Sequence, residues 1–318
     1  MLGAGLLVGY LTVQSGAMTV GAVTGAMLML IRLRGPLMGL MRVLDTIQSG
    51  YASLARIAGV VVNPPQPTKP AGAPPKEGHV EVHDVSFSYG QGWAVEDVSL
   101  SIDPGKTVAV VGVSGAGKTT VAALLAGLRV PDSGTVKVDG VEVTSLSDSE
   151  RVARLAMVSQ EVHVFSGTLR EDLSLAQPEA TDDEMIAVLD RVNADWFHQL
   201  ADGLDTVVGA QGLQLEPVAA QQLALARVML LNPRVVVMDE ATAEAGSQGA
   251  QSLQDAAEEL AKDRAALVVA HRLDQASRAD EILVMDNGRV VERGTHAQLL
   301  EFDGRYQQLW TAWQRGRQ

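Results

Sequence analysis

Eight consecutive residues, Gly112-Val113-Ser114-Gly115-Ala116-Gly117-Lys118-Thr119, fit the pattern G-x-x-x-x-G-K-[ST]. The glycines let the backbone N–H groups of Ser114, Gly115, Ala116 and Gly117 turn inward around a phosphate, and a helix starting near Thr119 adds its dipole. Lys118 would reach the β and γ oxygens of a nucleoside triphosphate. Thr119 would hold Mg²⁺ through its hydroxyl, and Thr120 completes the phosphate-facing set. Such a cradle needs a metal-handling acid on a neighbouring strand, and Val235-Val236-Val237-Met238-Asp239-Glu240 supplies one after four apolar residues. Asp239 would orient Mg²⁺ or its water, and Glu240 would polarise the attacking water. Without the cradle, an acidic pair at a strand end is more often a solvated turn.

Holding these residues in register requires a core, and the chain is long enough to build one. Its 318 residues, 47% hydrophobic and 4% aromatic, suit one large domain or two ordinary ones and exclude disorder and collagen-like repeats. Residues 108–111 and 235–238 are continuous apolar runs of the kind found in strands covered on both faces, whereas 80–85 and 95–102 alternate like half-buried antiparallel strands. Helical spacing recurs over 119–128, 182–192, 219–231 and 252–260. The fold class is therefore α/β, with an antiparallel β addition at its start.

The average composition hides a division along the chain. Lys and Arg number 25 against 38 Asp and Glu, a net charge of −13 that leaves nucleic-acid binding without an electrostatic footprint. Residues 1–62 carry +3 of this and residues 63–318 carry −16. There are no cysteines, which removes disulfides, thiolate metal sites and thiol nucleophiles. Residues 1–13 are apolar except for Thr12 but too few to cross a bilayer, while 20–41 reach the ~20 residues a spanning helix needs. The first stretch lacks the basic region of a signal peptide. It reads as a spanning helix whose beginning is missing. Six of the twelve prolines fall within 63–75, an extended linker. The expected organisation is 1–62 as the end of a transmembrane domain, about one and a half membrane helices with a cytoplasmic extension, 63–77 as linker and 78–318 as the α/β domain.

The order of several motifs resembles one family. Tyr89 in Phe87-Ser88-Tyr89, Lys118 in the cradle, Gln160 in Val158-Ser159-Gln160, the Asp239-Glu240 pair and His271 in Val268-Val269-Ala270-His271-Arg272 fall as in ABC transporter ATPase domains. The resemblance covers about residues 78–315. The preceding part, from Leu11-Thr12-Val13 through Pro36-Leu37 to Ser53-Leu54-Ala55-Arg56-Ile57, is similar to the last membrane helices of exporters that fuse membrane and ATPase domains in one chain. The resemblance implies a P-loop NTPase domain with an antiparallel β subdomain and a helical subdomain, preceded by all-α transmembrane helices. It also implies that Tyr89 stacks on adenine, that Gln160 touches Mg²⁺ and water, and that His271 donates to the γ-phosphate. Catalysis would then rest on Glu240, His271, Lys118 and Gln160, with Thr119, Gln160 and Asp239 around Mg²⁺ and with ATP as the nucleotide. Read alone, Tyr89 is an ordinary strand tyrosine and Gln160 polar surface. His271 stands out as the histidine that ends an apolar β run.

Three departures from the family pattern fall on elements that face a partner. Alignment back from Leu223-Ala224-Leu225-Ala226-Arg227 places Leu215-Glu216-Pro217-Val218-Ala219 where the family carries Leu-Ser-Gly-Gly-Gln. Glu216 brings a carboxylate where a donor is needed, Pro217 has no N–H, and Val218 adds a Cβ where backbone should approach. Gly246 stands in place of an aspartate, and Ala210 where exporters usually have glutamate. The asymmetry points to one half of a heterodimeric exporter in the plasma membrane, its ATPase domain cytoplasmic and its partner a second half-transporter with an intact signature. Decay of a dying gene is the plain alternative, and a soluble ABC ATPase or a regulatory ABC subunit are others. Within 20–41, Arg32 and Arg34 either meet an anionic cargo or snorkel to the headgroups.

Overall fold

The computed structural model describes residues 2–62, 77–90, 92–159, 162–239, 247–270 and 272–315. It divides into two compact units, Met1–Pro67 and Thr68–Gln318. The first holds two helices, α1 (Leu2–Gln14) and α2 (Val20–Val62). Among the described residues no helix is long and apolar enough to cross a membrane. The expectation of a spanning segment over 20–41 is not confirmed among these residues. With 13 residues α1 is too short, and Arg32 and Arg34 break the apolar run of α2, which continues past Pro36.

The second unit opens with β1 (Val80–Ser88), β2 (Trp93–Ile102), β3 (Thr107–Gly112), α3 (Lys118–Leu125), β4 (Ser133–Val138), β5 (Val141–Glu142), α4 (Asp148–Arg154) and β6 (Leu155–Val158). There follow β7 (Gly167–Thr168), α5 (Leu169–Ser174), α6 (Asp182–Arg191), β8 (Val207–Val208), α7 (Pro217–Leu231), β9 (Val235–Asp239) and α8 (Ser247–Ala261). The unit ends with β10 (Ala265–Val269), α9 (Leu273–Ala276), β11 (Glu281–Asp286), β12 (Arg289–Gly294), α10 (His296–Glu301) and α11 (Arg305–Arg315).

Hydrophobic pattern decides how these elements layer. β1 and β2 pair antiparallel in a four-stranded sheet ordered β2-β1-β4-β5. The continuous apolar runs enter a six-stranded sheet ordered β12-β11-β3-β10-β9-β6, in which β11, β3, β10, β9 and β6 run parallel and β12 closes the edge antiparallel. Every residue of β9 is buried, as a strand covered on both faces requires. One core fills the space between the two sheets around α3. A second core joins α5, α6, α7 and α8 to β6, β9 and β10, which gives the helical subdomain.

Helix ends differ from the periodicity reading for local reasons. α3 stops at Leu125, not 128, because Gly127 takes a left-handed φ of 68° that ends the helix. α7 starts two residues early because Pro217, at its first position, has a φ suited to helix and lacks an N–H that would have no partner there anyway. α6 starts at a reciprocal cap, with Thr181 Oγ1 accepting from Glu184 N and Glu184 Oε2 accepting from Thr181 N.

Arg264 fastens the C-terminal ends of α7 and α8. Its buried guanidinium donates to Leu260 O and Asn232 Oδ1 at 2.7 Å and to Pro233 O at 3.0 Å, and burial together with Arg191 lowers its pKa from the usual arginine value. Replacing it with Met leaves the buried carbonyls of Leu260 and Pro233 without this donor, a cost of about 3 kcal/mol. For a unit of this size the midpoint of thermal unfolding should fall by about 6–12 °C. Circular dichroism against temperature checks this, and an unchanged midpoint would contradict the fastening role.

Candidate functional site

Parallel strands deliver the motif residues to a single edge. Val110 of β3 pairs with Val269 of β10, and Val269 pairs in turn with Asp239 of β9, so the cradle and the acid emerge together at the carboxyl ends of adjacent strands. That edge is where α/β sheets bind ligands. β6, which leads to Gln160, ends beside β9 in the same direction. Gln160, Glu240, Gly246 and His271 themselves lie outside the described residues.

The cradle is shaped by backbone that only glycine accepts. Gly117 caps α3 with a φ of 98° and brings no side-chain cap, and a Cβ there would lie 2.3 Å from Ala94 O. The N–H groups of the first turn of α3 are therefore presented at an uncapped helix start. Gly115, at φ 80°, would meet nothing within 4 Å, which leaves the loop open on its outer side. Ser114 is exposed, and Ala116 and Thr120 are buried. Lys118, 6% exposed, donates from Nζ to Gly112 O and Val113 O at 3.0 Å each, so the ammonium is held inside the loop.

Thr119 Oγ1 donates to Asp239 Oδ1 at 3.4 Å, and Asp239 is buried. A hydroxyl and a carboxylate this close form a hard-oxygen donor set, the kind Mg²⁺ takes together with water and phosphate oxygens. An uncapped helix start, an open glycine, a held ammonium and this oxygen pair fit a triphosphate with Mg²⁺. A cavity of about 590 Å³ lies elsewhere: Thr107, Met238, Gln254, Glu258 and Arg278 are among its lining residues, and no cradle residue is.

Tyr89 sits just past β1, exposed, with the Phe87 ring edge-on at 4.9 Å. It was expected as an aromatic platform, and its exposure leaves the ring available to a ligand.

Two contributors were not evident from the motifs. Gly288 N donates to Ala116 O at 3.1 Å while Gly288 O accepts from Glu96 N at 2.8 Å, so the turn between β11 and β12 braces the cradle. The signal for that turn was the Asn287-Gly288 dipeptide between two strands. Asp172 is the other: its carboxylate, wholly buried, accepts from Arg227 of α7 at 3.0 Å and from Phe165 N at 2.9 Å, and Arg227 also donates to His163 O. Burial raises the Asp172 pKa, and the Arg227 charge works against that rise. The pair ties α7 to residues 163–165.

The segment in the signature position lies at the start of α7. Glu216 is the N-cap and its carboxylate makes no capping bond, while Leu215 and Val218 pack against the helical core. Ala210 is exposed and its N–H donates to Ser166 Oγ at 3.2 Å.

The family described as ABC transporter matches residues 95–243. A fatty acid ABC transporter ATP-binding/permease protein of Mycobacterium bovis is 36% identical over 304 residues, covering 95% of this chain and 48% of that protein. An ATP-dependent lipid A-core flippase of Haemophilus influenzae is 37% identical over 304 residues, covering 94% of this chain and 51% of its own. Among solved structures, a bacterial Atm1-family ABC exporter with ATP bound has a TM-score of 0.73 at 30% identity, over 93% of this chain and 53% of that one. The chain spans about half the length of the curated relatives it matches. ATP hydrolysis is the general reaction of the family. Residues 95–243 thus match the ABC transporter family, and the relatives similar to 94–95% of this chain include one whose name joins ATP-binding and permease parts.

Proposed function

We propose that this chain is the ATP-binding and ATP-hydrolysing subunit of an ABC exporter that couples hydrolysis to movement of an amphiphilic substrate across the plasma membrane, in a heterodimer. Bound ATP supplies the phosphoanhydride bond. The chain's own residues position it: Lys118 leaves Gly112 O and Val113 O to pair with phosphate oxygens, the N–H groups of 114–120 orient them, and Thr119 with Asp239 holds Mg²⁺. Glu240 takes up the proton of the attacking water, Gln160 orients that water, and His271 holds the γ-phosphate. Tyr89 carries the adenine.

One observation carries the heterodimer: Lys118, Thr119 and Asp239 converge in a usable site, whereas the start of α7 presents Glu216 and Pro217. In a head-to-tail pair this start would close over the partner's nucleotide, and it is poorly suited to that. The partner would bring an intact Leu-Ser-Gly-Gly-Gln segment to the site built on Lys118. Membrane association is supported by the apolar side chains of α1 and α2 that stand open, among them Leu6, Leu7 and Met29. Substrate class is inferred from the fatty acid and lipid A-core named for the relatives.

ATPase assays on the purified chain, alone and with a candidate partner, test this reading. Turnover should be near background alone and rise at least tenfold in the complex. Robust hydrolysis by the chain alone would sink the heterodimer.

A further inference from the structure

Tyr89 does not stand alone on its surface. The guanidinium carbon of Arg129 lies over its ring, 5.9 Å from the centroid, and Tyr89 is still 61% exposed. Arg129 is exposed, and among the described residues no carboxylate pairs with it.

Backbone contacts keep the two residues together. Asp132 Oδ2 accepts from Ser88 N at 2.8 Å, and Asp132 N donates to Ser86 O at 2.9 Å. Ser88 Oγ donates to Gly92 O at 2.7 Å and accepts from Gly90 N at 3.0 Å, which fixes the turn that carries Tyr89. The segment after α3, with Arg129 in it, is thus latched to the end of β1. The same helix begins at the phosphate cradle, so the arginine and the cradle share one short piece of chain.

A base resting on Tyr89 must reckon with that guanidinium. A flat ring held between two groups at van der Waals contact needs about 7–8 Å between them. The present 5.9 Å is short by about 1–2 Å, which an exposed arginine side chain can supply by rotation. Arginine planes stack on nucleobases as aromatic rings do.

We propose that Arg129 is a second adenine-contacting residue: on nucleotide binding its guanidinium lifts and stacks on the outer face of the base, which is then enclosed between Arg129 and Tyr89. The proposal rests on the reading of Tyr89 as the adenine platform. It separates base recognition from phosphate binding, because Arg129 acts on the ring and Lys118 on the phosphates.

Calorimetric titration of the full chain with ATP and with inorganic tripolyphosphate, which lacks the base, tests it. Arg129→Met should raise the Kd for ATP about two- to fivefold, the range of an exposed cation–ring contact, and leave tripolyphosphate affinity unchanged. Arg129→Lys should lose less. In a Tyr89→Ala background, Arg129→Met should add nothing. An unchanged or tighter ATP Kd for Arg129→Met, or an equal loss toward tripolyphosphate, overturns the proposal while Tyr89→Ala still weakens ATP. If Tyr89→Ala leaves ATP affinity intact, the platform reading fails and the proposal with it.

Discussion

Changing Glu216→Ser, Pro217→Gly and Val218→Gly together is expected to raise ATP turnover by the purified chain at least tenfold. Each substitution removes one obstacle at the start of α7. Two like charges ~4 Å apart at an effective dielectric near 20 repel by about 4 kcal/mol, and Mg²⁺ offsets part of that. Since about 1.4 kcal/mol is a factor of ten, relief of a third of the repulsion suffices. Glycine at 217 restores an N–H, and glycine at 218 lets backbone approach a phosphate. The cost is local: two glycines in the first turn of α7 weaken it by about 1 kcal/mol each at most. The helix is held elsewhere by Leu223, Leu225 and Ala226, all fully buried. Phosphate release measured beside thermal unfolding checks the prediction. Unchanged turnover in a folded triple variant would clear this segment of blame. Pro217→Gly alone should do little, because the carboxylate remains.

Lys118→Met is expected to weaken ATP binding by the chain at least tenfold and to leave its fold intact. Nζ is held at 3.0 Å from two loop carbonyls and is the charge the cradle offers to phosphate. A hydrogen bond to a charged group contributes about 1.5–3 kcal/mol, so the loss of one ammonium–phosphate bond is enough for a tenfold change. Met fills a similar volume, and Gly112 O and Val113 O lie at the rim of the loop. Titration with ATP gives the result directly, and an unaltered Kd would mean the loop binds something other than a triphosphate.

How far the residue pattern foretold the molecule depends on the range of the forces involved. The buried strands β3 and β9 follow from local apolar runs, and the cradle follows because glycine, lysine and threonine at fixed spacing have few other uses. Apolar periodicity alone places the start of α7 at Ala219. Pro217, suited to the first helical position, moves it earlier, and that shift sets Glu216 at the helix start. Contacts between distant segments were hidden. Gly288 braces Ala116, Arg227 meets Asp172, and Arg129 covers Tyr89 only because the sheet brings them together. The membrane expectation was set by length, whereas Arg32 and Arg34 count against it in a way that depends on what surrounds them.

The central claim is that this chain's nucleotide-facing residues belong to the hydrolysing site and its partner-facing segment to the weak one. Turnover of the complex with a partner bearing an intact signature, measured with Lys118→Met in this chain and separately with the equivalent lysine changed in the partner, tests it most directly. The account predicts that Lys118→Met abolishes turnover, while the partner variant retains a large share. Undiminished turnover with Lys118→Met, or equal loss from both variants, would contradict it.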